Sequence, residues 1–512
     1  MLVLHFRAFP PLWQAGAMEQ PVTREPAGLG PWAAGALVFG SSGAVLVVEL
    51  ASLRLLAPYL GLTLETNTLV IGLALAAIAA GAWLGGRAAD RFPPRVTLAP
   101  LLGMAGGAVA LMPGLVRWAG ATGDPSLLFW MSAAAIVVPA ALLSAVTPMV
   151  TKLRLTSLDE TGTVVGRLSG IGTVGAIAGT VLTGFVLITL VPVSTILVGL
   201  GVLLLVSSVV VDLRVRGWRG RAVAAAVVAA GGLAAVTAPG GCDVETTYHC
   251  AVVETDPANA SGRLLIMDGV NHSYVDLDDP THLDFEYVRA IASLTDTAYA
   301  DGEPLRAHHL GGGGLTVPRY LDEVRPGTDS MVSEIDAGVV ELDVDRLGLE
   351  LGGGIEVRVE DGRTGLRRVA DGSQDLVVGD AFGGVSIPFH LTTTEAMEEV
   401  GRVLADDGLY VANLIDHGPL DFARAELATL LARFDHVALA ARPEVLAGQG
   451  GGNLVAVAGD RPVDLAAWED RMAERDNPWA TISGEQLAAF VGDAMVLSDD
   501  HAPVDQLLTP YE

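Results

Sequence analysis

Between residues 305 and 383 apolar strands repeatedly stop at a glycine or an acid. LRAHHL runs into Gly311, Gly312, Gly313 and Gly314, and SMVSEID carries Glu334 about twenty residues beyond the last of them. VRVEDG brings up Asp361 and Gly362, and QDLVVGD ends on Asp380. Glycines at the end of a strand allow a tight turn and let the backbone approach a ligand, whose negative charge then meets the amino terminus of the next helix. An acid at the end of the following strand suits the two hydroxyls of a ribose, and Asp361-Gly362 suits an adenine edge. Each acid alone is an ordinary strand-end residue. Taken in this order, the three features describe a site for a nucleoside-derived ligand.

Such residues need a doubly wound α/β sheet, in which function collects at the carboxyl ends of the strands. Helices expected near 281–296, 392–404, 419–433 and 484–493, with strands at 408–414, 436–441 and 453–457, complete that pattern. A stretch of short alternating strands, 242–275, precedes it. The expected organisation is a tail over 1–31, a transmembrane domain over 32–239, a β-rich subdomain over 240–300 and the nucleoside-binding domain over 301–512.

The halves differ in charge. Before Gly241 there are 14 Lys and Arg against 9 Asp and Glu, which leaves 17 against 50 in the remainder. So acidic a soluble half repels phosphate backbones and argues against a nucleic-acid partner. Cys242 and Cys250, the two cysteines of the chain, match no metal spacing, and no metal is expected. A disulfide and two independent thiols both remain open.

Apolar runs of spanning length fall near 32–56, 66–86, 97–117, 127–150, 169–190 and 192–211, with a shorter Ala/Gly-rich seventh at 222–239. The lipid bilayer is therefore an expected partner, and the cell membrane the expected location. Pro10 and Pro11 interrupt the first apolar residues, so no signal peptide is read there. Arg87, Arg91 and Arg95 follow the second run, Lys152 and Arg154 the fourth, and Arg214, Arg216, Arg219 and Arg221 the sixth. This bias places those loops and the amino terminus in the cytoplasm. Six spans put the acidic domain inside and seven put it outside, and the sequence leaves both open. Gly166, Gly170, Gly175, Gly179 and Gly184 of the fifth run are spaced for close helix packing or, alternatively, for a substrate path. Glu49, within the first run, has Arg54 nearby as a partner for structure or transport. GGRAADRF (85–92) resembles the loop after the second helix of major facilitator transporters.

MDGVNHSYVD with Tyr287 downstream, LGGGG, SEID, VEDG, LVVGDAFGG, LADDGLYVANL and LSDDHAPVDQLL together resemble the spermidine synthase (polyamine aminopropyltransferase) family. With the helices in front, the chain is similar to the fused transporter-like/spermidine synthase proteins. The resemblance implies a fold like class I methyltransferases and transfer of an aminopropyl group from decarboxylated S-adenosylmethionine to a polyamine or other amine. It also implies self-association as a homodimer. By motif position Gly311, Gly312 and Gly313 form the cofactor turn, Glu334 holds the ribose, and Asp361 with Gly362 holds the adenine. Asp380 is the general base, with Tyr287 and His272 on the substrate side. A carboxylate at a strand end can take the proton that an amine must lose to attack near neutral pH.

Three positions depart from the family pattern. Gly314 stands where an aspartate binds the free amine of the donor, and Gly383 where a second acid of D-S-S-D grips the acceptor; His272 replaces a glutamine. These departures keep two alternatives beside the aminopropyltransferase: a transferase that uses intact S-adenosylmethionine, and a non-enzymatic membrane transport or sensing protein with a ligand-binding synthase-like domain.

Overall fold

The computed structural model describes residues 29–60, 64–122, 124–155, 160–216, 242–350, 352–384 and 386–509. The tail and the apolar segment 222–239 lie outside them. Six helical stretches among the described residues are long and apolar enough to cross a membrane. They comprise α1 (Pro31–Leu60), α2 (Leu64–Arg91), α3 (Pro94–Ala121), α4 (Pro125–Ser144) continued by α5 (Val146–Arg154), α6 (Thr161–Leu190) and α7 (Val193–Arg216). Each carries apolar residues nearly all round, as a helix surrounded by lipid and other helices must. The run expected as one helix over 127–150 breaks at Ala145. Pro148 has no N–H for the carbonyl of Ser144, and its ring crowds that same carbonyl.

Small residues set the packing. A Cβ on Gly175 or Gly179 would strike the α1 backbone at Phe39 or Gly43, and one on Gly106 would meet Gly201 of α7. Gly166, Gly170 and Gly184 face open space, so the packing role belongs to part of the glycine series. The Arg54 guanidinium lies 5.7 Å from the ring centre of Tyr248 in the soluble half.

The soluble half begins with a four-stranded antiparallel sheet: β1 (Val244–Glu245), β2 (Cys250–Thr255), β3 (Gly262–Met267) and β4 (Val270–Asp276). A disulfide joins Cys242 to Cys250 across its first hairpin. Helix α8 (Glu286–Ala298) leads into an eight-stranded sheet ordered β12-β10-β11-β9-β8-β5-β6-β7. Strands β5 (Arg306–Leu310), β6 (Asp329–Glu334), β7 (Ile355–Val359), β8 (Gln374–Gly379) and β9 (Leu404–His417) pair in parallel. Antiparallel β11 (Gly451–Gly459), β10 (His436–Ala441) and β12 (Ala480–Ser483) extend the other edge. Helices α9 (Thr316–Val324), α10 (Ala337–Arg346) and α11 (Gly362–Leu366) follow the first three parallel strands. Helices α12 (Thr394–Val403), α13 (Asp421–Arg433), α14 (Leu465–Glu474) and α15 (Gly484–Val491) come later in the chain.

The central strands β8 and β9 carry the buried apolar runs LVV and LYVA because both sheet faces are covered there, whereas the edge strand β7 alternates as IEVRV. Trp468 of α14 is fully buried and donates its indole N–H to Ala290 O of α8 at 2.9 Å, which closes one face. Strand order reverses between β5 and β8. A doubly wound sheet has its crevice at such a point, outside the carboxyl ends of the strands.

Candidate active site

At that switch point a cavity of about 500 Å³ opens over the glycine turn. Gly311 has φ +102°, and a Cβ there would strike the carbonyl of Asp380, so only glycine lets β5 and β8 end side by side. Gly311, Gly312 and Gly313 line the cavity. Glu334, the last residue of β6, accepts from Gly312 N at 2.7 Å and from Asp336 N at 2.8 Å. Burial lifts its carboxyl above the usual range against the opposing pull of these two N–H groups. Glu334 therefore ties the glycine turn to the next strand as well as facing the cavity.

Asp361 does not end a strand. β7 stops at Val359, and Asp361 caps α11 by accepting from Thr364 N at 2.9 Å. Its other oxygen is hydrogen-bonded to His390 Nε2 at 2.7 Å. Burial opposes ionisation here, but these bonds outweigh it and hold the carboxyl below its ordinary range. Gly362, Pro388, Leu391 and Ile335 bring apolar surface to the same end of the cavity. Ile335 is 45% exposed, unusual for so large an apolar side chain beside a buried acid.

Asp380 follows β8 on the far side of the turn. Tyr287 of α8 donates to its Oδ2 at 3.2 Å, and Asn413 of β9 donates Nδ2–H to its Oδ1 at 2.9 Å. Asn453 of β11 in turn donates to Asn413 Oδ1 at 3.0 Å and so fixes which way that amide points. Desolvation pushes the Asp380 carboxyl up to about 6, and the two donated bonds restrain the rise. Burial and the neighbouring Asp380 raise the Tyr287 phenol well above its ordinary value, so it stays a donor.

His272 also lines the cavity. Its Nε2 has no hydrogen-bond partner among the described residues, and burial lowers the ring to about 4, with His249 reinforcing the shift, so it stands neutral. The structure thus brings Gly311, Gly312, Gly313, Glu334, Asp361, Gly362, Asp380, Tyr287 and His272 around one cavity. Asn413 sits inside the quoted LADDGLYVANL motif, but its role depends on register between β8 and β9, which no local pattern reveals. Asp284, exposed on the cavity rim, lies three residues before Tyr287 and carried no motif of its own.

Gly314 does not line the cavity. It has φ +74°, its N–H goes to Asp343 Oδ1 at 3.0 Å, and a Cβ there would collide with Ser273. An aspartate at this position would meet both the left-handed backbone and the Ser273 side chain.

No protein-family model matches the chain. A polyamine aminopropyltransferase of Chromobacterium violaceum is 30% identical over 142 residues, 28% of this chain and 53% of that protein. One from Vibrio vulnificus is 32% identical over 132 residues, 25% of this chain and 43% of that protein. The chain thus spans about half the length of the curated relatives it matches. Among solved structures, a probable spermidine synthase from Corynebacterium glutamicum is 31% identical, with 50% of this chain and 95% of that one covered and a TM-score of 0.48. The carboxyl-terminal half of this chain is thus similar to polyamine aminopropyltransferases, and six helical stretches long and apolar enough to cross a membrane precede it.

Proposed function

We propose that the protein is a membrane-anchored aminopropyltransferase of the spermidine synthase type. Its donor is decarboxylated S-adenosylmethionine and its acceptor a polyamine or another small amine. The observation that carries this reading is Asp380. It is a carboxylate raised to about 6, held through one oxygen each by Tyr287 and Asn413, one strand away from the glycine turn. The adenosyl end of the donor fits the opposite wall, with its ribose on Glu334 and its base between Asp361-Gly362 and Ile335.

The acceptor nitrogen attacks the methylene carbon beside the sulfonium. A C–N bond forms, the C–S pair returns to sulfur, and neutral 5′-methylthioadenosine leaves. Before the attack, the ammonium of the acceptor gives up a proton to Asp380, which frees the nitrogen lone pair. A base near 6 is stronger than an ordinary carboxylate yet remains ionised at neutral pH, which suits this task. Because the sulfonium already activates the leaving group, alignment of the two substrates supplies much of the remaining acceleration. Asp284, at the rim on the Tyr287 side, is placed to meet the far ammonium of a diamine in place of the acid absent at Gly383.

Full-length protein in detergent, given decarboxylated S-adenosylmethionine and a panel of diamines and polyamines, should release 5′-methylthioadenosine together with an aminopropylated amine. No transfer to any of them refutes the activity. A second reading, use of intact S-adenosylmethionine, is favoured by one observation: Gly314 supplies no carboxylate to bind the amine of the donor or to repel its carboxyl group. Competition between the two donors decides between these readings.

A further inference from the structure

The helices of the bundle alternate in direction, and their contacts establish which ends lie together. Gly43 of α1 meets Gly175 and Gly179 of α6, so these two run parallel. Gly81 and Gly85 of α2 meet Ala141 and Ala145 beside α4, also parallel. Gly106 of α3 meets Gly201 and Leu205 of α7, and Ser208 donates to Ala99 O, so that pair is antiparallel. One end of the bundle therefore gathers the start of α1, the α2–α3 turn, the end of α5 and the end of α7. Lys152 pairs with Asp90 there at 2.8 Å, and Arg154 donates to Leu29 O at 3.2 Å. The other end gathers the α1–α2, α3–α4 and α6–α7 connections.

Charge divides the same way, apart from Arg54 and Arg117, whose side chains meet the soluble half at the second end. Arg87, Arg91, Arg95, Lys152, Arg154 and Arg214 cluster toward the first end. The connections at the second end, 61–63, 122–124 and 191–192, contain no Lys or Arg. The basic end is the cytoplasmic one by the positive-inside rule.

The soluble half docks on the second end. Glu245 forms an ion pair with Arg117 near the end of α3 and accepts from Ser194 N and Oγ at 3.2 and 3.0 Å at the start of α7. Tyr248 lies against Arg54, the Gly269 turn lies over the Pro58 carbonyl, and Asp505 Oδ2 accepts from Leu64 N at 2.9 Å. Cys242 and Cys250, joined as a disulfide, line the same interface with Arg54, Tyr59 and Arg117. Disulfides persist in oxidising compartments and are rare in the cytosol.

We propose that the adenosyl and amine site works on the extracytoplasmic side of the membrane, with the soluble half seated on the outer end of the helical bundle. This rests on the functional reading above only for what the site binds; the sidedness follows from helix direction, basic residues, docking contacts and the disulfide. Arg216 ends α7 at the basic end, and the chain resumes at Val244 on the docked end. Acceptor amines reach the site from outside the cell or from the periplasm. A donor made in the cytoplasm needs a step that exports a nucleoside sulfonium before this reaction can run.

Two full-length fusions test the proposal, one ending in alkaline phosphatase, which is active only outside the cytoplasm, and one in green fluorescent protein, which matures inside. In parallel, intact spheroplasts receive a membrane-impermeant maleimide with and without an impermeant reductant. The expected result is an active phosphatase, a dark fluorescent fusion, and maleimide on Cys242 and Cys250 only after reduction. A fluorescent fusion with inactive phosphatase, or cysteines labelled only after lysis, overturns it. Binding of 5′-methylthioadenosine to the solubilised protein is measured separately. An outside domain that binds no nucleoside refutes the site and leaves sidedness standing, whereas binding by a cytoplasmic domain refutes sidedness alone.

Discussion

Replacing Asp380 by asparagine separates a catalytic carboxylate from a structural one, because the two roles predict opposite effects on stability. The introduced amide would still accept from Asn413 through its oxygen and could donate to the Tyr287 oxygen, so the local hydrogen bonds survive. What disappears is a charge that desolvation disfavours. With its carboxyl raised to about 6 from an ordinary 3.8, Asp380 favours the folded state fully only below pH 4, where it is protonated in both states. That contribution is lost as pH rises through 6. A two-unit rise corresponds to up to about 3 kcal/mol, reduced by whatever water the open cavity admits. The variant should therefore unfold at the same or a higher temperature than the wild type at pH 7, and the gain should vanish near pH 4. Turnover should move the other way and fall by about a hundredfold or more. The wild-type rate should rise with pH through about 6, since the base is roughly nine-tenths ionised at pH 7, and the variant should lose that limb. Thermal unfolding from pH 4 to 8 beside single-turnover kinetics reads both quantities. A variant that is less stable at pH 7, or that keeps most of the rate, refutes the assignment of Asp380 as the base.

Tyr287→Phe removes a donor that restrains the Asp380 carboxyl, so the acidic limb of the pH–rate profile should move to higher pH and the rate loss should be larger at pH 6 than at pH 8. An unshifted profile would show that Tyr287 acts on the substrate alone. Glu334→Ala should weaken 5′-methylthioadenosine by about 1.5–3 kcal/mol in calorimetry on the full-length protein, the range for hydrogen bonds to a charged group; unchanged affinity would remove Glu334 from the ribose site. Gly314→Asp should lower the unfolding temperature rather than sharpen donor choice, since a non-glycine residue at φ +74° costs of order 1–3 kcal/mol before the collision with Ser273 is counted. A stable variant with a new preference for the decarboxylated donor would contradict that.

The parallel core of the sheet and the helix after the glycine turn were legible because their signals are local: an apolar run, a glycine or acid at its end, then helical spacing; helices α10 and α11 were not read. Asp361 was read one step wrong. An Asp-Gly after an apolar run looks like a strand terminus, whereas here the strand stops two residues earlier and the aspartate turns back to cap α11. Strand β12 and helix α14 were missed. β12 is four residues long and takes its place by pairing with β10, and α14 starts on an Asp464 cap amid a polar stretch whose burial depends on α8. The pairing of Cys242 with Cys250 was undecidable from spacing, because it depends on β1 and β2 closing a hairpin. Asn413 was invisible as a functional residue for a related reason. Its contact with Asp380 spans 33 positions and arises from register alone.

Gly314 and Gly383 look in the sequence like two independent losses of a cation-binding acid. The structure gives them different physical character. At Gly383 the backbone N–H closes a short turn onto Ser386 O at 2.8 Å, and a Cβ would meet nothing nearer than 3.9 Å, so a side chain could return at little steric cost. At Gly314 the left-handed backbone, the N–H committed to Asp343 and the wall formed by Ser273 all exclude one. Burial raises Asp343 well above the usual carboxylate range despite that bond. Asp343 lies fully buried beneath the glycine turn and outside the cavity lining, and cannot stand in for the missing aspartate. A side chain could therefore return at Gly383 by a single substitution, while Gly314 is fixed by the fold of the turn. In the proposed transferase, a change of amine preference would be expected first at Gly383 and at the rim near Asp284. A donor lacking a carboxyl group would have to be distinguished elsewhere, through the walls that His272 and Ile335 provide.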